Sequence, residues 1–176
     1  MKIDNVNTIS TKKGDSGTSK NYSNQTFTKD DILFETLGNI DELSSILGLT
    51  FHHTNYEKIK IYQTTLQAIN SLIATDQAIA PDRYQALRQI NDKDIEALEE
   101  EGQKQLDTHP LEPRFVLPGS EASHAGAYFD LSRAVCRRAE RTLVRFVNHN
   151  ERKDLIYAQK YLNRFSDLLF ILARSY

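Results

Sequence analysis

The chain has 176 residues, of which 39% are hydrophobic and 26% charged, as expected for one globular domain spanning residues 1–176. The formal net charge of −2 gives no overall field that would attract nucleic acid or an anionic membrane, so an anionic ligand needs a local basic cluster. A single cysteine, no apolar run of signal-peptide length at the start and no stretch of roughly 20 apolar residues together predict a cytoplasmic protein that neither spans nor binds a membrane.

The polarity pattern divides the chain into an arm and a helical part. Residues 1–29 are polar, with no sustained apolar period, and predict a flexible arm. Within residues 30–176, apolar residues recur at spacings of three and four in five segments, each of which predicts a helix. The segments run from about 30 to 53, 56 to 80, 92 to 106, 120 to 148 and 153 to 174. Because the connections are mostly short and no strand shows convincing alternation, the expected fold class is all-α, an antiparallel five-helix bundle.

The fourth predicted helix carries its charges in two groups around an apolar face. Three arginines lie opposite that face, where a solvated stripe is expected: Arg138, Arg141 and Arg145. Arg133, Arg137 and Glu140 instead follow one edge of the face, at spacings that make them neighbours on a helix surface. Charges at the margin of a core are paired or serve a ligand. The spacing alone therefore leaves open a structural ion pair and an anion-binding or catalytic site.

The arm contains a segment, residues 11–20, in which lysines, hydroxyl residues and two glycines alternate. Such a segment can wrap a phosphate chain with backbone N–H groups while its lysines neutralise charge. It is not a Walker A loop, because the Gly-Lys-Ser/Thr sequence is missing and no strand precedes it. A disordered polar tail explains the same composition, so this segment is ambiguous when taken alone.

Separate sequence blocks follow one another along nearly the whole chain. They are residues 11–18 (TKKGDSGT), 29–31 (KDD), 38–45 (GNIDELSS), 115–119 (FVLPG), 133–141 (RAVCRRAER) and 161–167 (YLNRFSD). In this order they resemble the PduO-type ATP:cob(I)alamin adenosyltransferases, most weakly in the second and third predicted helices. The resemblance implies a ferritin-like bundle of the cobalamin adenosyltransferase kind with an N-terminal nucleotide-binding loop.

The resemblance also implies an activity and its partners. Enzymes of this family transfer the 5′-deoxyadenosyl group of ATP to the cobalt of cob(I)alamin, giving adenosylcobalamin and triphosphate. ATP and cob(I)alamin are then substrates, and Mg²⁺ is the expected cofactor. A homotrimer with active sites between subunits is implied, as is a further partner, either a cob(II)alamin reductase or an adenosylcobalamin-dependent enzyme.

Roles for individual residues are carried over from the matching motif positions. The catalytic candidates are Arg137, Arg133 and Asp41, of which Asp41 and Arg133 match a pair that joins subunits and supports cobalamin binding. Candidates for the triphosphate loop are Lys12, Gly14, Asp15, Gly17, Thr18 and Lys29. Glu140 matches the magnesium site, Asn163 a position near the nucleoside, and Phe115 an aromatic on the lower face of the corrin ring.

Two departures from the family pattern bear on the triphosphate loop. Ser16 stands where the family often has lysine, and residues 23–26 (SNQT) replace the usual Gly-Gly/Glu-Arg region. Both changes favour reduced triphosphate affinity. They leave open an alternative function, in which a catalytically weak relative holds ATP or corrinoid as a carrier or sensor. A third hypothesis is a purely structural bundle in which Arg133, Arg137 and Glu140 form only ion pairs.

Overall fold

The computed structural model describes residues 4–10, 12, 14–119 and 123–176. Its helices, in chain order, are α1 Val6–Ile9, α2 Ile32–Thr54, α3 Lys58–Ala74, α4 Pro81–Gln85, α5 Asp92–Thr108, α6 His124–Asn150 and α7 Ile156–Ser175. A 3₁₀ turn, Lys153–Leu155, leads into α7, and two short strands, β1 Thr18–Lys20 and β2 Thr26–Thr28, precede α2. The five long helices confirm the predicted all-α class.

The long helices pack as a bundle around one apolar core. Helix α2 packs on α3 and α6, α6 packs on α7, and α7 packs on α5. Tyr62 of α3 and Phe165 of α7 cross the core with ring centroids 4.9 Å apart, and Ile40 and Leu143 are fully buried between α2 and α6. None of the helices in the described part of the chain is long and apolar enough to cross a membrane.

The arm is more ordered than its composition predicts. Strands β1 and β2 form an antiparallel hairpin in which Thr18 pairs with Thr28. At three residues each, they are too short for alternation to be recognised in the sequence. The N–H of Tyr22 donates to the carbonyl of Ala74 at 2.8 Å, and the N–H of Asp76 donates to Ser23 Oγ at 2.8 Å. The hairpin is thus attached to the end of α3.

Local capping residues set where the site-bearing helices begin. The Asp31 side chain accepts from the N–H of Leu33 at 2.8 Å and starts α2. The Ser123 hydroxyl accepts from the N–H of Ala125 at 3.0 Å and starts α6. The predicted start of that helix, Ser120, lies outside the described residues, as do Thr11 and Lys13 of the arm.

Helix α3 ends at Ala74, before its predicted end at Ala80, because its last carbonyls have other partners. The guanidinium of Arg152 donates to the carbonyls of Leu72 and Thr75, each at 3.0 Å. The same guanidinium forms a 2.8 Å ion pair with Asp154, and both side chains are largely buried. One arginine thereby ties α3 to the turn before α7.

Replacing Arg152 with alanine is expected to lower the free energy of unfolding by about 3 kcal/mol, because a buried carboxylate and several carbonyls lose their donor. Urea unfolding followed by far-UV circular dichroism measures the change, with all proteins at one concentration because oligomerisation shifts apparent stability. The control Lys104→Ala alters an exposed side chain of α5 and should stay within about 0.5 kcal/mol of wild type. Equal stability of the two variants would contradict the role given to Arg152.

Candidate active site

The arm forms a tight turn around its glycines. The N–H of Gly17 donates to the carbonyl of Gly14 at 3.2 Å, and the N–H of Lys29 donates to the carbonyl of Gly17 at 2.8 Å. Gly17 has a φ of +79°, a conformation that side-chain-bearing residues rarely adopt. Lys12 and Asp15 are joined to the same turn by a 3.3 Å backbone hydrogen bond. The turn therefore brings the predicted loop residues together.

Two lysines give this turn a positive charge. Lys29 lies over Gly14 so closely that a Cβ on Gly14 would be 2.7 Å from Lys29 Nζ. Lys12 and Lys29 are both exposed, and neither has a carboxylate partner among the described residues. Thr18 is also at this turn, with its hydroxyl 3.1 Å from that of Ser16. Free ammonium groups beside glycine N–H groups can accept a polyphosphate.

A groove between α2 and α3 opens beside the arm. It encloses about 890 Å³, and its wall includes Tyr22 of the hairpin, Phe34, Gly38 and Asp41. The Asp41 carboxylate is exposed and has no hydrogen-bond or ion-pair partner in the described part of the chain. The α2–α3 groove and the arm together form the first half of the candidate site.

The edge of α6 forms the second half. The guanidinium of Arg133 lies 5.3 Å from the ring centroid of Phe170, and Glu140 accepts a 2.9 Å hydrogen bond from Asn163 Nδ2. Arg137 is exposed, with no hydrogen bond or ion pair to any described residue. None of these charges neutralises another, so the geometry favours a ligand site over the structural ion pair that the spacing had left open.

A cavity of about 520 Å³ between α5, α6 and α7 adjoins this edge, and Glu140 and Asn163 line it. No group of three or more His, Cys, Asp or Glu side chains in the described residues could hold a metal ion alone. A single carboxylate is the protein contribution that Mg²⁺ accepts when phosphate oxygens and water complete its shell. Glu140 therefore fits a nucleotide-bound magnesium ion.

Phe115 lies in the connection between α5 and α6, residues 109–119, named here the Phe115 loop. Phe115 is 87% exposed, and Leu117 is 65% exposed. A cavity of about 290 Å³ separates the loop from Phe170 and Arg174 of α7. An exposed aromatic here can contact a flat apolar ligand.

The two halves of the site open on different sides of the bundle. The first half is built from the arm, α2 and α3, whereas the second is built from α5, α6 and α7. No residue lines both the α2–α3 groove and the cavity at Glu140. Asp41 and Arg133, predicted as a pair between subunits, accordingly form no hydrogen bond or ion pair with each other within one chain.

The predicted solvated arginine stripe on α6 is exposed, and two of its three members also have partners on α2. Arg138 forms an ion pair with Glu42, and its Nε donates to Asn39 Oδ1 at 3.2 Å. Arg145 pairs with Glu35. These acids belong to α2, which runs alongside this face of α6, a neighbour that a wheel of one helix cannot reveal.

Two buried residues near the site were not found from sequence. Asp130 and Arg174 form a 2.6 Å ion pair below the Phe115 loop, with side chains 7% and 6% exposed. Asp130 directly follows the buried Phe129, and an acidic residue next to a core position indicates a paired carboxylate. The sequence does not indicate which residue is the partner. By contrast, burial raises the pKa of the Cys136 thiol, which donates to the carbonyl of Leu162 at 3.4 Å and is no nucleophile.

Comparisons with known proteins identify the family of the chain. A family model described as cobalamin adenosyltransferase matches residues 9–176. The chain belongs to this family. It is 36% identical over 172 residues to the corrinoid adenosyltransferase MMAB of Homo sapiens, covering 94% of this chain and 67% of that one. A corrinoid adenosyltransferase of Citrobacter freundii is 32% identical over 168 residues, covering 94% and 93%.

A solved structure of a member of this family has the same fold. It is a variant PduO-type ATP:corrinoid adenosyltransferase from Lactobacillus reuteri, complexed with cobalamin and ATP. The TM-score is 0.84 at 26% identity, with 95% of this chain and 92% of that chain covered. Membership thus rests on sequence and on three-dimensional structure.

Proposed function

We propose that this protein transfers the 5′-deoxyadenosyl group of ATP to the cobalt of cob(I)alamin. The observation that carries the proposal is Arg137, an exposed guanidinium without a partner in the described residues, one turn from Glu140 on the α6 edge. A cation and a carboxylate held in this way suit a nucleotide with its metal ion. The match to the cobalamin adenosyltransferase family and the ATP and cobalamin in the Lactobacillus reuteri complex support the choice of substrates.

The reaction needs no nucleophile from the protein, because the cobalt of cob(I)alamin is itself the nucleophile. Cobalt in cob(I)alamin donates an electron pair to C5′ of ATP, the cobalt–carbon bond forms, and the C5′–O bond breaks. Triphosphate departs with the electrons of that bond. The protein must align cobalt with C5′ and stabilise the charge that builds on the leaving group.

Charge stabilisation falls to groups from both halves of the site. Lys12 and Lys29 face the phosphates from the arm. Arg137 neutralises charge from the α6 edge, where Glu140, oriented by Asn163, would hold Mg²⁺. The bound ion supplies further neutralisation of the triphosphate.

Phe115 acts on the other substrate. Reduction of cob(II)alamin to the reactive state is difficult while an axial ligand is bound. An aromatic ring against the lower corrin face excludes water and the tethered base from that position. The exposure of Phe115 is consistent with a ring whose partner is the substrate.

We infer that the two halves meet between neighbouring subunits of a homotrimer. If the first half of the site on one subunit binds the second half on its neighbour, the contact is heterologous. Three such contacts close into a ring when each subunit is rotated by one third of a turn relative to the last. Asp41 of one subunit then pairs with Arg133 of the next, and each site takes its arm from one subunit and its α6 edge from another.

One assay tests the function. The protein is incubated with ATP, Mg²⁺ and chemically reduced cobalamin, and triphosphate and the light-sensitive cobalt–carbon product are measured. Formation of both in equal amounts is expected. Binding of ATP and cobalamin without product would identify a carrier or sensor instead, and absence of binding would leave only a structural bundle.

Arg137→Ala is expected to lower kcat/KM at least about 100-fold, because a cation that stabilises the leaving group is lost. The matched control is Arg138→Ala on the adjacent position, which removes an exposed ion pair with Glu42 and should retain most activity. Steady-state kinetics and thermal unfolding are measured for both proteins. Equal kinetic losses in the two variants would contradict the assignment of Arg137.

Phe115→Ala is expected to lower kcat at least about tenfold while the KM for ATP stays near wild type, because the ring contacts corrin and not nucleotide. Leu117→Ala, in the same loop and also exposed, is the control and should change kcat less. A Phe115→Ala effect confined to the KM for ATP would show that the ring belongs elsewhere.

Mixed trimers test whether each site is shared. Asp41→Ala disables the groove of its own subunit, and Arg137→Ala disables the α6 edge of its own subunit. If both proteins are co-expressed in equal amounts, each mixed ring has one intact site of three, so about a quarter of wild-type activity should return. A site contained in one subunit predicts no recovery above either variant alone.

A further inference from the structure

The ion pair beneath the Phe115 loop also contacts the loop. Asp130 Oδ1 is 2.6 Å from Arg174 Nη1, and Asp130 Oδ2 accepts a 3.0 Å hydrogen bond from the backbone N–H of Gly119. One buried carboxylate thus joins α6, the end of α7 and the last described residue of the Phe115 loop. The loop is fixed at the point where its backbone turns.

The hydrogen bond to Asp130 restrains the loop around Phe115. It is the one hydrogen bond from residues 115–119 to a helix in the described part of the chain. Phe115 and Leu117 are mostly exposed, so their packing does little to fix the loop. Gly119 has a φ of +73°, a conformation that suits glycine and directs the N–H to the carboxylate.

The ion pair also reaches the α6 edge. The guanidinium of Arg174 lies 4.2 Å from the ring centroid of Phe170, and that of Arg133 lies 5.3 Å from the same centroid. A contact chain therefore runs from Gly119 through Asp130, Arg174 and Phe170 to Arg133. The pair therefore lies between the Phe115 loop and the α6 edge.

Stability alone explains this pair poorly. A buried ion pair contributes little net stability when compared with apolar residues of similar volume, because both charges lose their hydration. Arg174 Nε is buried and has no hydrogen-bond partner among the described residues, which adds to that cost. What apolar residues could not supply is the acceptor for the N–H of Gly119.

We propose that Asp130 and Arg174 are positioning residues for Phe115. Arg174 orients the Asp130 carboxylate, the carboxylate holds Gly119, and the loop presents the Phe115 ring to the lower face of the corrin. The inference rests on the proposed function, since the ring acts only if a corrinoid binds there.

The test replaces the pair by apolar residues in the variant Asp130→Leu/Arg174→Met, which leaves no buried charge unpaired. We expect a melting temperature within a few degrees of wild type, an unchanged KM for ATP and a kcat lowered about tenfold. The fraction of bound cob(II)alamin without an axial ligand, read from its visible absorption, should fall in parallel. The control Glu35→Leu/Arg145→Met replaces an exposed ion pair between α2 and α6 and should match wild type.

Combination with Phe115→Ala separates positioning from a merely structural role. If the pair acts through Phe115, the triple variant should be no slower than Phe115→Ala alone, because the two changes remove one function. Losses that multiply would overturn the inference, as would wild-type kcat and cob(II)alamin absorption in Asp130→Leu/Arg174→Met. If the wild type is active and Asp130→Leu/Arg174→Met is unaffected, only this inference is wrong. If the wild type is inactive, the proposed function is wrong as well.

Hydrogen exchange gives a measurement that does not depend on how the variant folds. In the wild-type protein, the amide of Gly119 should exchange at least about tenfold more slowly than an unstructured glycine amide. Exchange at the unstructured rate would show that Asp130 does not hold the loop and would overturn the proposal.

Discussion

The arrangement of the candidate site depends on the charges that the α6 edge leaves without partners. The apolar face of this helix packs on α2 and α7, so its charged edge lies at the margin of the core. Arg137 has no hydrogen bond or ion pair to a described residue, and Glu140 is bound only by a neutral amide from Asn163. Because Arg137 is exposed, its charge stays hydrated and available to a ligand or to a neighbouring chain. A charged nucleotide with its metal ion would supply the partners that these charges lack.

The neighbours of α6 divide its charges between structure and function. On one side, α2 supplies Glu35 and Glu42, which pair with Arg145 and Arg138 and fix the two helices in register. On the other side, α5 and α7 leave a cavity at Glu140. The adjacent Arg137 and Arg138 therefore differ in role, since Arg138 pairs with α2 and Arg137 is left for a ligand. Arg138 serves as a control for Arg137 because the two side chains have the same chemistry and different neighbours.

Periodicity and motif spacing predicted the five long helices, their order and the edge formed by Arg133, Arg137 and Glu140, because these are properties of each helix alone. The hairpin was not predicted, since three-residue strands carry too little alternation. The ion pairs of Arg138 and Arg145 were missed because they depend on which helix lies alongside. The Asp130–Arg174 pair joins residues 44 positions apart, and nothing local in the sequence specifies that contact. The roles of Asp41 and Phe115 came from the family resemblance and stay predictions.

The departures from the family pattern in the arm have a structural explanation that bears on activity. Asn21 Oδ1 accepts from the N–H groups of Ser23 and Gln25 at 3.0 and 2.9 Å, and Ser23 Oγ receives the N–H of Asp76. Ser23 thus attaches the hairpin to the end of α3, and Gln25 is bonded within the hairpin. Both residues have structural roles, so the departure at residues 23–26 is not by itself a sign of a degenerate site. Ser16 is different, because a serine there leaves the arm with one cation fewer than the family often has. In the proposed reaction, a larger share of the triphosphate charge then falls on Arg137 and on the metal ion at Glu140. This chain should accordingly depend more on its α6 edge than on its arm.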